Sequence, residues 1–195
     1  MKNLNDAKKS VLGNMILRQT MGGIRKEDEI RIMNKDELIE RIDEEYGKQG
    51  SRTTGRLDLT MLDVSLVKDM TNLFIDLKYL KHIDVSNWDV SNVETMFGMF
   101  YNCMSLKSID VSNWNVGNVY NMCGMFSHCM SLEHINVSNW DTGNVRDFRQ
   151  MFDGCKSLQP IGVTWWNISN MKYMDGMFNG CEYKYIKEGN RLVRI

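Results

Sequence analysis

Cysteine, histidine and aspartate are the side chains in this sequence that can bind a metal, attack a substrate or meet a charged partner, and most of them recur at one spacing. Cys103, Cys129, Cys155 and Cys181 lie 26 residues apart, with Cys123 outside the series. If successive cysteines lie one turn of a repeat apart, their Cα atoms fall at about 5 Å, a separation a disulfide accepts. Cys123, His128, Cys129 and His134 offer zinc-ligand chemistry by type. The paired-cysteine spacing of a zinc ribbon is absent, and the cysteine series stands at an apolar position of each repeat. The reading is therefore buried, reduced core residues with no metal.

Asp58, Asp84 and Asp110 keep the same spacing and are followed by Asn136 and Gly162, beside a hydroxyl row of Thr60, Ser86, Ser112, Ser138 and Thr164. Two carboxylates 5 Å apart in water repel by roughly 0.8 kcal/mol, which a protein tolerates without a ligand. A solvated polar face explains the row as well as a binding strip does. Trp88, Trp114, Trp140 and Trp166 form a third series. Repeated once per unit, they read as buried filling rather than a stacking platform. Trp165 replaces the Asn of positions 87, 113 and 139 and is an extra aromatic in a polar row, hence a contact candidate. No nucleophile motif, phosphate-cradling glycine loop or His-Glu metal pattern occurs, so the expectation is a non-enzymatic protein without a cofactor.

These series belong to a longer self-similarity. Leu80, Leu106, Leu132 and Leu158 repeat at 26, as do Ile83, Ile109, Ile135, Ile161 and Phe100, Phe126, Phe152, Phe178. A fixed period of this length predicts a solenoid, because one unit cannot bury its apolar face without a neighbour. The segment 57–74 aligns as a degenerate first unit with Leu62 in place of the tryptophan, giving five coils over 57–182. Within each, Leu-x-x-Ile-x-Val alternates as a short strand, with residues 108, 110 and 112 outward. Val119, Met122, Met125 and Phe126 predict a short helix, started by Asn118 and its equivalents 92, 144 and 170 and ended by Gly154 and Gly180. Glycines 98, 124 and 176 inside that stretch predict close approach of neighbouring helices. The fold class expected is an α/β solenoid with a short parallel β-sheet on the concave side and short helices on the convex side.

Flanking segments read as caps. Residues 1–56 hold a candidate helix at 5–21 and a second at Asn34–Gly47, with Glu37 placed for a capping box and Leu38, Ile39, Ile42 and Tyr46 apolar. Residues 183–195 predict a hairpin around Gly189 and Asn190. Lysine plus arginine number 24 against 25 acids, with six basic groups and one acid in residues 1–26 and eight against thirteen in 57–181. No positive excess marks nucleic acid or an anionic membrane. Five cysteines, no clean signal-peptide run and no stretch near the roughly 20 apolar residues of a membrane span predict a cytoplasmic protein.

The unit "LKSIDVSNWNVGNVYNMCGMFSHCMS", with Asn-Trp, Asn-Val and Met-Phe at fixed offsets, resembles the repeat of bacterial surface proteins, the BspA-like branch of the leucine-rich repeats found in mycoplasma lipoproteins. The resemblance covers 57 to about 182 and implies a right-handed, leucine-rich-repeat-like coil with a binding role, often at the cell surface. The expected function is protein–protein interaction through the sheet face, by His82, Asp84, Ser86, Ser108, Asp110, Ser112, His134, Asn136, Ser138 and Trp165, with a partner of basic surface. Two alternatives stand beside it: a phage or mobile-element inhibitor whose acidic face fills a nucleic-acid channel without itself binding nucleic acid, and an adhesin exported by another route.

Overall fold

The chain divides into two compact units, Met1–Ile30 and Arg31–Ile195, and the computed structural model describes residues 30–48 and 55–195. All the architecture that follows belongs to the second unit. The candidate helix at 5–21 lies outside the described residues.

Strands Arg56–Asp58, His82–Asp84, Ser108–Ile109 and His134–Ile135 pair in parallel as one four-stranded sheet. Arg56, His82, Ser108 and His134 stand in register, each 26 residues from the last. Alternation decides the faces: Ile83, Ile109 and Ile135 are buried, while the flanking positions 82, 84, 108, 110, 134 and 136 are exposed. A fifth strand is missing. Pro160 has no N–H to donate to the ladder, and the chain turns instead into a short 3-10 segment, Val163–Trp165.

The opposite wall corrects the helical expectation, because no helix forms there. Over 70–77 the N–H groups divide into two alternating sets. Those of Met70, Asn72, Phe74 and Asp76 donate to the next unit's carbonyls at 95, 97, 99 and 101, while those of Leu73, Ile75 and Leu77 donate three residues back. This ribbon of turns repeats through the next three units, with the 95, 121, 147 and 173 positions in parallel bridges. Every fourth ribbon residue has positive φ: Asn72, Gly98, Gly124, Gln150 and Gly176 in one row, Asp76, Asn102, His128, Gly154 and Gly180 in the other. The glycines thus serve a left-handed backbone rather than helix–helix approach, and Asn, Asp, His and Gln occupy the same rows at some strain. A hydrophobic stripe fits both conformations, which is why periodicity alone did not separate them.

Between the walls, identical residues stack on one another. The rings of Phe74, Phe100, Phe126, Phe152 and Phe178 lie 4.9 to 5.7 Å apart and nearly parallel. The tryptophans at 88, 114, 140 and 166 are buried, and each indole Nε1–H donates to a carbonyl 29 residues back at 2.9–3.3 Å. A tryptophan can be buried throughout the repeat because every unit supplies the carbonyl its N–H requires.

Both caps are present. Helix Lys35–Lys48 starts with Asn34 Oδ1 accepting from the Glu37 N–H at 3.0 Å, while Glu37 Oε2 accepts from the Met33 N–H. Leu38 and Ile42 are buried, whereas Ile39 faces solvent. At the other end Tyr185–Glu188 and Arg191–Arg194 pair as an antiparallel hairpin whose Gly189 has φ of +58°. The Tyr185 hydroxyl accepts from the Ile161 N–H and donates to the Ile161 carbonyl, both at 3.1 Å, supplying the pairing a sixth strand would have made.

Candidate functional site

Three corners recur along the units and are built alike. At the strand exit, Oδ1 of Asp58, Asp84, Asp110 or Asn136 accepts from the N–H two residues on and from the hydroxyl of Thr60, Ser86, Ser112 or Ser138 at 2.7–2.8 Å. A second corner does the same with backbone donors only, at Asp63, Asp89, Asn115, Asp141 and Asn167. A third uses Asp69, Asn121 and Asp147. A short acceptor that bonds its own backbone two residues on imitates a turn, so Asp and Asn recur here for folding. Four members of the hydroxyl row, Thr60, Ser86, Ser112 and Ser138, are therefore engaged in turns. The two Ser112 hydrogen bonds, which outweigh slight burial, hold the Asp110 carboxyl below its usual range.

The asparagines expected to start helices do something else. Asn92, Asn118, Asn144 and Asn170 donate from Nδ2 to carbonyls 27 residues back, Ser65, Ser91, Gly117 and Gly143, at 2.6–2.8 Å. This row ties each unit to the one before it.

Two adjoining concavities open on the sheet face, of about 510 and 380 Å³. His82, Asp84 and Ser86 line the first, His134 and Asn136 the second, and Ser108 and Asp110 belong to both. Seven of the ten expected contact residues are thus brought together. Ser112 and Ser138 line neither, and Trp165, although 75% exposed, sits in the 3-10 segment apart from both linings. Sequence reasoning missed Arg56 and Glu133, which bring a positive charge beside Asp58 and a further acid beside His134. The strip is mixed in charge rather than simply acidic. Their signal was available, since position 56 is one period before His82 and position 133 adjoins His134.

The family described as Mycoplasma protein of unknown function, DUF285, matches residues 51–109 and 68–188. The chain belongs to this mycoplasma family. The two matches overlap along the repeat, and together they take in the strand face, both concavities and the ribbon. No curated protein and no solved structure matches the chain.

Elsewhere in this member of the family, the cysteine series forms a row of thiol donors. Cys103, Cys129, Cys155 and Cys181 each donate to a carbonyl 29 residues back at 3.0–3.2 Å. Burial pushes Cys103 up to about 12 and Cys181 up to about 11. Such thiols are poor nucleophiles. Among the described residues no three His, Cys, Asp or Glu side chains gather as a metal site, and no helix is long and apolar enough to cross a membrane. On the ribbon side a groove of about 540 Å³ is lined by Phe97, Cys123, Arg149, Gln150, Asp175, Gly176 and Asn179. Arg149 there grips Asp147 with Nε and Nη2 and lies 4.9 Å over the Tyr173 ring.

Proposed function

We propose that the chain is a protein-interaction module, a leucine-rich-repeat-like solenoid whose strand face receives a partner protein. The observation that carries this reading is the contrast within each strand. Isoleucine is fixed at the inward positions 83, 109 and 135, while the outward neighbour changes from Arg56 to His82, Ser108 and His134 along one continuous pair of concavities. A rigid inward row with a varied outward row lets recognition chemistry change from unit to unit without disturbing the packing. The mixture of Arg56, Glu133, three aspartates and two histidines favours a partner surface with charges of both signs, rather than the purely basic surface expected from the aspartates alone.

A second reading, display at the cell surface as a BspA-like adhesin, is supported by membership of the mycoplasma family together with the likeness of its repeat to bacterial surface proteins. Both readings use the same face. The inhibitor reading draws less support, since it relied on an acidic strip that Arg56 interrupts.

The test is the charge reversal Asp84→Lys with Asp110→Lys, set against partners captured on immobilised wild-type protein. Loss of a captured partner with an unchanged melting curve supports the strand face. Retained binding would move the site to the ribbon groove.

A further inference from the structure

The ribbon ladder runs in one direction, each unit donating N–H groups to the next, so the last unit is left with donors and no acceptors. In the first four units the second left-handed row is clamped this way: the N–H of Asp76, Asn102, His128 and Gly154 bonds to the carbonyl of residue 101, 127, 153 or 179 at 2.6–2.9 Å. Gly180, the fifth member of the row, makes no such bond, and it and Asn179 are both exposed. Asn179–Gly180 is also the one Asn–Gly pair in the sequence.

We propose that Asn179 is a site of spontaneous covalent modification, passing through a succinimide to aspartate and isoaspartate. In the closing step the Gly180 backbone nitrogen gives up its proton to solvent base and bonds to Asn179 Cγ. The Cγ–Nδ2 bond breaks, and Nδ2 leaves as ammonia after taking a proton from water. Water then opens the ring at either carbonyl, leaving a carboxylate on the side chain or a backbone rerouted through it. Ring closure requires the 179–180 peptide to swing its nitrogen over Cγ. Glycine presents no side chain to obstruct that swing, and with the Gly180 N–H unpaired the one backbone bond this peptide must give up is the one its carbonyl accepts from the Gly154 N–H at 2.7 Å.

The fourth unit supplies an internal control. Asp153–Gly154 occupies the same position and can form the same ring with loss of water, but its peptide is held at both ends, the Gly154 N–H by the Asn179 carbonyl at 2.7 Å and the Asp153 carbonyl by the His128 N–H at 2.6 Å. Reactivity is therefore governed by place in the array as well as by the dipeptide. Because Asn179 lines the ribbon groove beside Asp175 and Arg149, the reaction would add a negative charge to that groove and leave the strand-face concavities unaltered.

The experiment is to age the full chain in mildly alkaline buffer, natively and in denaturant, and to follow the 179 and 153 peptides by mass spectrometry and isoaspartyl methyltransferase labelling. Asn179 should convert in the native protein, and folding should slow Asp153 by at least about tenfold more than it slows Asn179, the rate equivalent of the one further hydrogen bond its peptide must break. Asn179→Gln, which leaves the glycine in place, should abolish the signal at that peptide. Native Asn179 stable while the denatured chain converts, or native Asp153 reacting as readily as in denaturant, would overturn the assignment.

Discussion

The strand wall and the ribbon wall share one period and opposite design rules. On the strand wall the backbone is ordinary extended chain, so any side chain is admitted at the outward positions, and Arg56, His82, Ser108 and His134 succeed one another in register. On the ribbon wall every fourth residue must take positive φ, which confines those rows to Gly, Asn, Asp, His and Gln. The first wall is free to vary in chemistry and the second is bound by conformation. That difference is why recognition is assigned to the strands.

The largest effect on stability falls in the core common to both walls. Trp114→Ala should cost about 3–5 kcal/mol in a denaturant melt, combining the loss of a large buried ring with removal of one of the two donors to the Val85 carbonyl. A variant that melts like wild type would mean the tryptophan row is not packing between the walls.

Thiol chemistry sharpens the same boundary. Cys103, Cys129 and Cys155 are fully buried, while Cys123 and Cys181 are partly exposed. Native labelling should reach Cys123 and Cys181 first and the other three only on unfolding. Because burial raises the folded-state value for Cys103 from 9.0 to about 12, the stability it contributes is complete below pH 9 and is lost as pH climbs toward 12. Alkaline melts should show that decline, and one flat across this range would contradict a buried thiol row.

Smaller effects probe the corners. Asn118→Ala removes the side-chain bond to the Ser91 carbonyl and should cost about 0.5–1.5 kcal/mol. Ser112→Ala should raise the Asp110 carboxyl toward 3.8 in an NMR titration. The sign follows from the lowered folded-state value: the stability Asp110 contributes is present above pH 3.8 and is lost as pH falls through the depressed range, so the variant shortens that acid-side loss. An unmoved carboxyl would mean that the turn bond does not form in solution.

Much of this architecture is legible in the sequence because the period imposes register. The first degenerate unit, the Asn34–Glu37 cap and the Gly189 hairpin all follow from side chains whose local chemistry has one outcome. The ribbon was not legible for a specific reason. Met122, Met125 and Phe126 satisfy a helical stripe, and the contrary signal lay in glycines and asparagines spaced four apart, a pattern equally compatible with close packing. Asp110 and Ser112 carry a structural duty that was legible and went unread. Asp-x-Ser spells a turn that closes on its own backbone, and the same exposed pair was read only for what it offers a partner. Trp165 is exposed but lies apart from the concavities, as do its equivalents Asn87, Asn113 and Asn139, because this position follows the strand in every unit.

The two walls are built by different rules, and Gly124 lies where those rules predict opposite outcomes. Its φ is +63°, and a Cβ placed there would meet nothing nearer than the Tyr101 ring at 3.9 Å, so Gly124→Ala perturbs backbone conformation with little steric contact. A ribbon of turns predicts a loss of about 1–2 kcal/mol in the unfolding free energy, the cost of a left-handed alanine. A helix would predict the opposite sign, a gain of up to about 1 kcal/mol. Denaturant melts of the two proteins side by side decide it: destabilisation supports the turn-built wall, and a more stable alanine variant would contradict it.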